Sequence, residues 1–108
     1  NRLSTLERLH PVLQYIDQHY TEELTAEQLA RQMFIHPATL RDWFRDGVGQ
    51  TPMRYVHRVR ISVACSLLRG TGRPITEVAG EAGYRSLSSF NRHFQEICGL
   101  SPTEYRRG

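Results

Sequence analysis

"VAGEAGYRSLSSFNRHFQEICGLSPTEY", residues 78–105, decides how this chain is read, because it echoes an earlier stretch, "LARQMFIHPATLRDWFRDGVGQTPMRY", residues 29–55. From Leu40 onward the two run at an offset of 50, pairing Leu40 with Phe90, Phe44 with Phe94, Gly49 with Gly99, Pro52 with Pro102 and Tyr55 with Tyr105. Upstream, Ala30 answers Ala79 at an offset of 49, so the second copy holds one additional residue in its central turn. Self-similarity at a fixed spacing marks one supersecondary unit used twice.

Both copies follow one plan. A short helix with an apolar pair, Leu29/Met33 or Val78/Ala82, leads into a tight turn, which in the second copy contains Gly83, suited to positive φ. A second helix then opens on its own signals: His36-Pro37 puts proline at the first helical position, and Ser86 is a favourable N-cap. It ends at Gly47 to Gly49 in the first copy and at Gly99 in the second. Two short helices joined by a tight turn make a helix-turn-helix.

The flanking segments extend this to an all-α chain of about seven helices without strands. Leu9, Leu13, Ile16 and Tyr20 recur at helical spacing with Pro11 near the start, which predicts a packing helix over residues 10–20. Thr25-Ala26-Glu27-Gln28 and Ser101-Pro102-Thr103-Glu104 fit capping boxes. Thr51-Pro52 begins a long helix up to Gly70, with Val56, Val59, Val63 and Leu67 beside Ala64 and Leu68 as its apolar stripe. The expected organisation is a linker remnant over 1–8, a first helix-turn-helix subdomain over 9–50, a linker helix over 51–69 and a second subdomain over 70–108. A linker helix with few weak helix formers is expected to hold the two reading helices at one separation.

Composition points to a water-facing domain whose charge is unevenly spread. Mean hydropathy is −0.51, and no apolar run approaches the ~20 residues of a membrane span. Residues 1–50 carry five Arg against seven acids (−2), and residues 51–108 carry nine Arg against four acids (+5). All 14 cationic side chains are Arg, the residue suited to bidentate contacts with phosphate or guanine. Cys65 and Cys98 fall in apolar helical patterns and read as small core residues of a reducing compartment. The chain begins at Asn1 and reads as a piece of a longer one.

On a helical wheel over residues 86–98, Phe90, Phe94 and Ile97 cluster as the core face. Ser88, Arg92 and Gln95 lie opposite, with Leu87 and Asn91 on the flank. Arg matches guanine O6 and N7, Asn and Gln match adenine N6 and N7, Ser meets several acceptors, and Leu meets the thymine methyl, all in the major groove. In the first copy the core face is Leu40, Trp43 and Phe44, leaving Ala38, Arg41, Asp42 and Arg45 outward. Arg41 and Arg45 suit DNA. Asp42 does not suit phosphate; it can accept from cytosine N4 or hold Arg41 or Arg45 in place, which marks this helix as the weaker reader.

"RISVACSLLRGTGRPITEVAGEAGYRSLSSFNRHFQEICGLSPTEYR", residues 60–106, resembles the signature of the AraC/XylS transcription regulators. The matching residues are Arg60, Ala64, Leu67 and Leu68 in the linking helix, then Ile75, Glu77, Ala79, Gly83 and Tyr84. Phe90, Arg92 and Phe94 follow, and last Gly99, Ser101, Pro102, Tyr105 and Arg106. With the first copy included, the resemblance covers about residues 9–107. It implies two helix-turn-helix units joined by a rigid helix, each placing its second helix in the major groove of double-stranded DNA. It also implies a cytoplasmic regulator that activates transcription, has RNA polymerase as its protein partner, and carries an N-terminal sensor or dimerisation domain. The base-reading places it implies fall on Leu87, Ser88, Asn91 and Arg92 in the second unit and on Ala38, Arg41 and Asp42 in the first. An Arg is common in the family where Asp42 stands, and a larger side chain where Ser89 stands.

Little in the sequence suits catalysis. His10, His19, His36, His57 and His93 show no metal-ligand spacing with one another or with the cysteines, and there is no glycine-rich phosphate loop. No cofactor is expected. The remaining rival to DNA binding is a helical protein-interaction module using Trp43, Tyr84 or the long helix.

Overall fold

A computed structural model describes residues 1–108, and it is all-helical, with seven α-helices and no strand. They are α1 (Arg2–His19), α2 (Ala26–Gln32), α3 (Pro37–Gly47), α4 (Pro52–Gly70), α5 (Ile75–Glu81), α6 (Leu87–Cys98) and α7 (Pro102–Arg107). The chain divides into two units, Asn1–Val56 and His57–Gly108, with the boundary inside α4.

In the first unit, α3 packs against both α1 and α2. The Thr25 hydroxyl caps α2 by accepting from the Gln28 N–H, and the Gln28 side chain returns the bond to the Thr25 N–H. Proline at the first position of α3 follows His36, whose Nδ1 accepts from the Ala38 N–H. α1 starts at Arg2 instead of near His10, so Pro11 lies inside the helix and residues 2–8, read as linker, are helical. An interior proline costs about 3 kcal/mol, and long-range packing offsets it. Thr5, Leu9, Val12 and Ile16 form the buried face, while Leu13 and Tyr20 are only half-buried. The reason is a close approach at Gly47, where a Cβ would come within 3.2 Å of Thr5 Cγ2 and 3.3 Å of Leu9 Cδ1. The Thr5 hydroxyl donates to Asp46 (2.7 Å), and Arg2 Nε donates to the Gly47 carbonyl (3.3 Å).

In the second unit, α6 packs against α5 and α7, and the core gathers Ile61, Ala64, Leu68, Val78, Ala79, Ala82, Tyr84, Phe90 and Phe94. Phe90 and Phe94 are fully buried with ring centroids 5.6 Å apart. Each contributes roughly 1.5–3 kcal/mol through burial. Ser86 and Ser101 cap α6 and α7 as the sequence leads one to expect, the latter in a full capping box with Glu104. Gly99 closes α6 in the left-handed region at φ 75°.

The inward stripe of α4 differs from the apolar one read from sequence. Val56, Arg60, Ile61, Ala64 and Leu68 are buried, whereas Val59, Val63 and Leu67 are half-buried. A charged residue takes an inward place because the Arg60 guanidinium lies over the Tyr84 ring, 5.6 Å from its centroid.

Candidate nucleic-acid interface

Two helix-turn-helix units are present, α2–α3 in the first unit and α5–α6 in the second, and their turns are built alike. In the first, the Ile35 N–H donates to the Ala30 carbonyl and the Phe34 N–H to the Arg31 carbonyl. In the second, the Tyr84 N–H donates to the Ala79 carbonyl and the Gly83 N–H to the Gly80 carbonyl. The additional residue of the second copy is Arg85, set between this shared turn and the N-cap Ser86.

On α6, Leu87, Ser88, Asn91, Arg92 and Gln95 are all exposed, and they stand over the buried Phe90 and Phe94. Leu87 leaves 40% of its surface in solvent. On α3, Ala38, Arg41, Asp42 and Arg45 are all exposed above buried Leu40 and Phe44. Trp43, expected in the core, is half-buried at the edge, with the Arg8 guanidinium 5.5 Å from its ring centroid.

Of the two arginines that Asp42 was expected to orient, the structure selects Arg45: its Nη2 donates to Asp42 Oδ1 at 2.7 Å. Both side chains are largely exposed, 71% for Arg45 and 62% for Asp42. A pair this wet is worth about 0–1 kcal/mol, so it restrains Arg45 weakly.

A support beneath α6 escaped the sequence reading. His57 and His93 stack with ring centroids 3.6 Å apart and planes 9° apart. His57 Nδ1 shares a 2.8 Å hydrogen bond with the Tyr84 hydroxyl, and His93 Nδ1–H donates to the Ser89 carbonyl at 2.9 Å. Burial pushes the Tyr84 hydroxyl up to about 12, with the Arg60 charge acting the other way, and burial pulls Arg60 below its ordinary value. These side chains fix the inner flank of α6 on α4. No periodicity reveals them, since the two histidines belong to different helices.

Residues 29–108 match a family described as a helix-turn-helix domain. The chain is 34% identical over 103 residues to a probable transcriptional regulator, LumQ, of Photobacterium leiognathi, covering 94% of this chain and 42% of the relative. It is 31% identical over 101 residues to the transcriptional activator RhaS of Klebsiella pneumoniae, covering 94% of this chain and 36% of that one. It therefore spans about two fifths of the length of these curated relatives. Among solved structures, the C-terminal domain of the response regulator AraT from Geobacillus stearothermophilus superposes with a TM-score of 0.86 at 30% identity, over 93% of this chain and 84% of that one. The DNA-binding domain of the transcription factor AdpA, solved in complex with a target DNA, superposes with a TM-score of 0.84 at 30% identity, over 92% and 89%.

Fold and relatives together define a helix-turn-helix DNA-binding domain of the kind that transcription regulators carry. The chain belongs to the AraC/XylS family. No helix is long and apolar enough to cross a membrane.

Proposed function

We propose that this domain recognises a specific, bipartite and non-palindromic double-stranded DNA operator, with α3 and α6 reading successive major-groove segments. The observation that carries the reading is the outward face of α6, where Leu87, Ser88, Asn91, Arg92 and Gln95 are exposed together over a fully buried aromatic pair. Those residue types match the hydrogen-bonding and methyl pattern of base edges. In this reading Arg92, Asn91 and Gln95 make base contacts, Ser88 and Leu87 tune them, and α3 contributes through Ala38, Arg41, Asp42 and Arg45. The reading units keep the limits expected from sequence, 9–50, the helix 51–69 and 70–108, except that residues 2–8 join the first unit, since α1 begins at Arg2 and packs on α3. Two tandem units in one chain lack the two-fold axis that makes operators palindromic.

The likeness to RhaS, which is named as an activator, supports a role in activation, with RNA polymerase as partner and the cytoplasm as the place of action. A sensor or dimerisation domain joined to the N-terminal side would supply the signal.

The test is selection of bound sequences from a random DNA pool, followed by affinity measured against salt. Phosphate contacts impose a steep negative slope of log affinity on log salt. A flat slope and no enriched sequence favour a protein-interaction module instead. On the selected operator, five base pairs inserted between the half-sites rotate one by about half a turn. Footprinting should then lose one half; full protection of both means that the two units adapt independently.

A further inference from the structure

Cys65 on α4 and Cys98, the last residue of α6, are 33 positions apart in the chain, yet their Sγ atoms are 3.9 Å apart. Both are free thiols and both are half-buried. A disulfide needs about 2.05 Å between the sulfurs, so closing the pair takes a side-chain rotation and a small shift, not refolding. Cys98 sits in the last helical turn before Gly99, whose φ of 75° ends α6, and a helix end yields more readily than its middle. The surroundings are also reachable. The Tyr105 hydroxyl accepts from Arg69, whose guanidinium lies 5.7 Å from the Tyr105 ring centroid, and Tyr105 packs against the same core as both cysteines. Tyr105 in turn lines an open groove of about 480 Å³ with Leu68, Arg69, Leu100 and Glu104.

We infer that Cys65 and Cys98 form a redox-modification site, in which hydrogen peroxide converts the thiol pair to an intramolecular disulfide that a dithiol reductant reopens. The chemistry balances on the two cysteines and one peroxide. One thiolate attacks the O–O bond, forming an S–O bond, and the departing hydroxide takes the proton the thiol released, giving water. The second sulfur attacks this sulfenic sulfur; the S–S bond forms, the S–O bond breaks and a second water leaves. The two cysteines lose two electrons and two protons, and the peroxide is reduced to two waters.

Burial, the charge of Cys65 and the hydrogen bond to it push the Cys98 thiol up to about 11. Cys98 is therefore protonated at neutral pH, which makes the reaction slow there and faster as pH rises. The bond fastens the C-terminal end of α6, the helix whose outward face is proposed to read DNA, to α4. The site stands independently of that DNA reading.

The full chain, reduced and then exposed in dilute solution to a modest excess of hydrogen peroxide, should lose the mass of two hydrogen atoms. It should give a tryptic cross-link between residues 61–69 and 93–106. Dithiothreitol should restore both thiols to alkylation. Cys65→Ala or Cys98→Ala abolishes the mass loss, and peptide mapping of the unaltered chain decides the matter even where a variant fails to fold. Two thiols that stay alkylatable, a stepwise gain of oxygen in place of the cross-link, or disulfides only between separate molecules would overturn the inference.

Discussion

Phe34 and Gly83 hold the same place in the two repeats and take the same left-handed backbone, with φ of 58° and 100°. The turn hydrogen bonds around them also correspond, through Ala30 and Arg31 in one copy and Ala79 and Gly80 in the other. Glycine adopts this conformation freely, whereas a side chain there crowds its own backbone. Phe34 receives little in return, since 95% of its surface is exposed.

Phe34→Gly should therefore stabilise the first unit by about 1 kcal/mol, the left-handed penalty it removes, while leaving DNA affinity unchanged. Urea denaturation followed by Trp43 fluorescence measures the first, and a binding titration the second. A drop in affinity would instead make Phe34 a contact residue, with its strain tied to function.

Arg92→Ala should cost ~1–3 kcal/mol on the preferred operator and relax preference at one base pair. Arg92 is exposed on the α6 face opposite the buried Phe90 and Phe94. A uniform loss over all sequences, in the same binding titrations, would reassign it to phosphate.

Asp42→Arg should raise affinity for DNA, with the largest gain at low salt, because it removes a negative charge from the outward face of α3 and frees Arg45 from its 2.7 Å pair. A substantial loss in a mobility-shift titration would show that Asp42 contacts a base or that Arg45 reads DNA only when Asp42 holds it.

Alkaline solution should destabilise the second unit. Burial raises the Tyr84 hydroxyl to about 12 from an ordinary value of 10.0. A group whose folded pKa is raised keeps the folded state more protonated than the unfolded one. Its contribution is complete below about pH 10 and is lost as pH climbs toward 12. Unfolding midpoints across this window should fall for the parent chain and fall less for Tyr84→Phe. The residual slope is assigned to Cys98, raised to about 11 chiefly by burial, and to Tyr105, raised by its interaction with Cys65 and by burial. An equal fall in parent and variant would remove Tyr84 from the account.

Much of this molecule was legible from local signals. The Thr25 and Ser101 capping boxes, Pro37 at the head of α3, Ser86 before α6 and Gly99 after it each act within about four residues, so their physics is contained in the sequence around them. The same holds for the outward placement of Ser88, Asn91, Arg92 and Gln95, because helical periodicity opposes them to Phe90 and Phe94 once α6 exists. Repetition of that local pattern, with its family signature, was enough to define two helix-turn-helix units.

What tertiary structure alone decided lies where partners are distant in the chain. α1 runs back to Arg2 through Pro11 because Gly47, with no side chain, lets Thr5 and Leu9 approach α3. Arg60 turns inward because Tyr84 offers its ring, Asp42 pairs with Arg45 and not Arg41, and Cys65 finds Cys98 across 33 positions. Amphipathic spacing states that a helix has an inner face, but that face is broad enough to admit several rotations about the axis. The one adopted is set by the shapes and hydrogen bonds of neighbours that packing brings in from elsewhere.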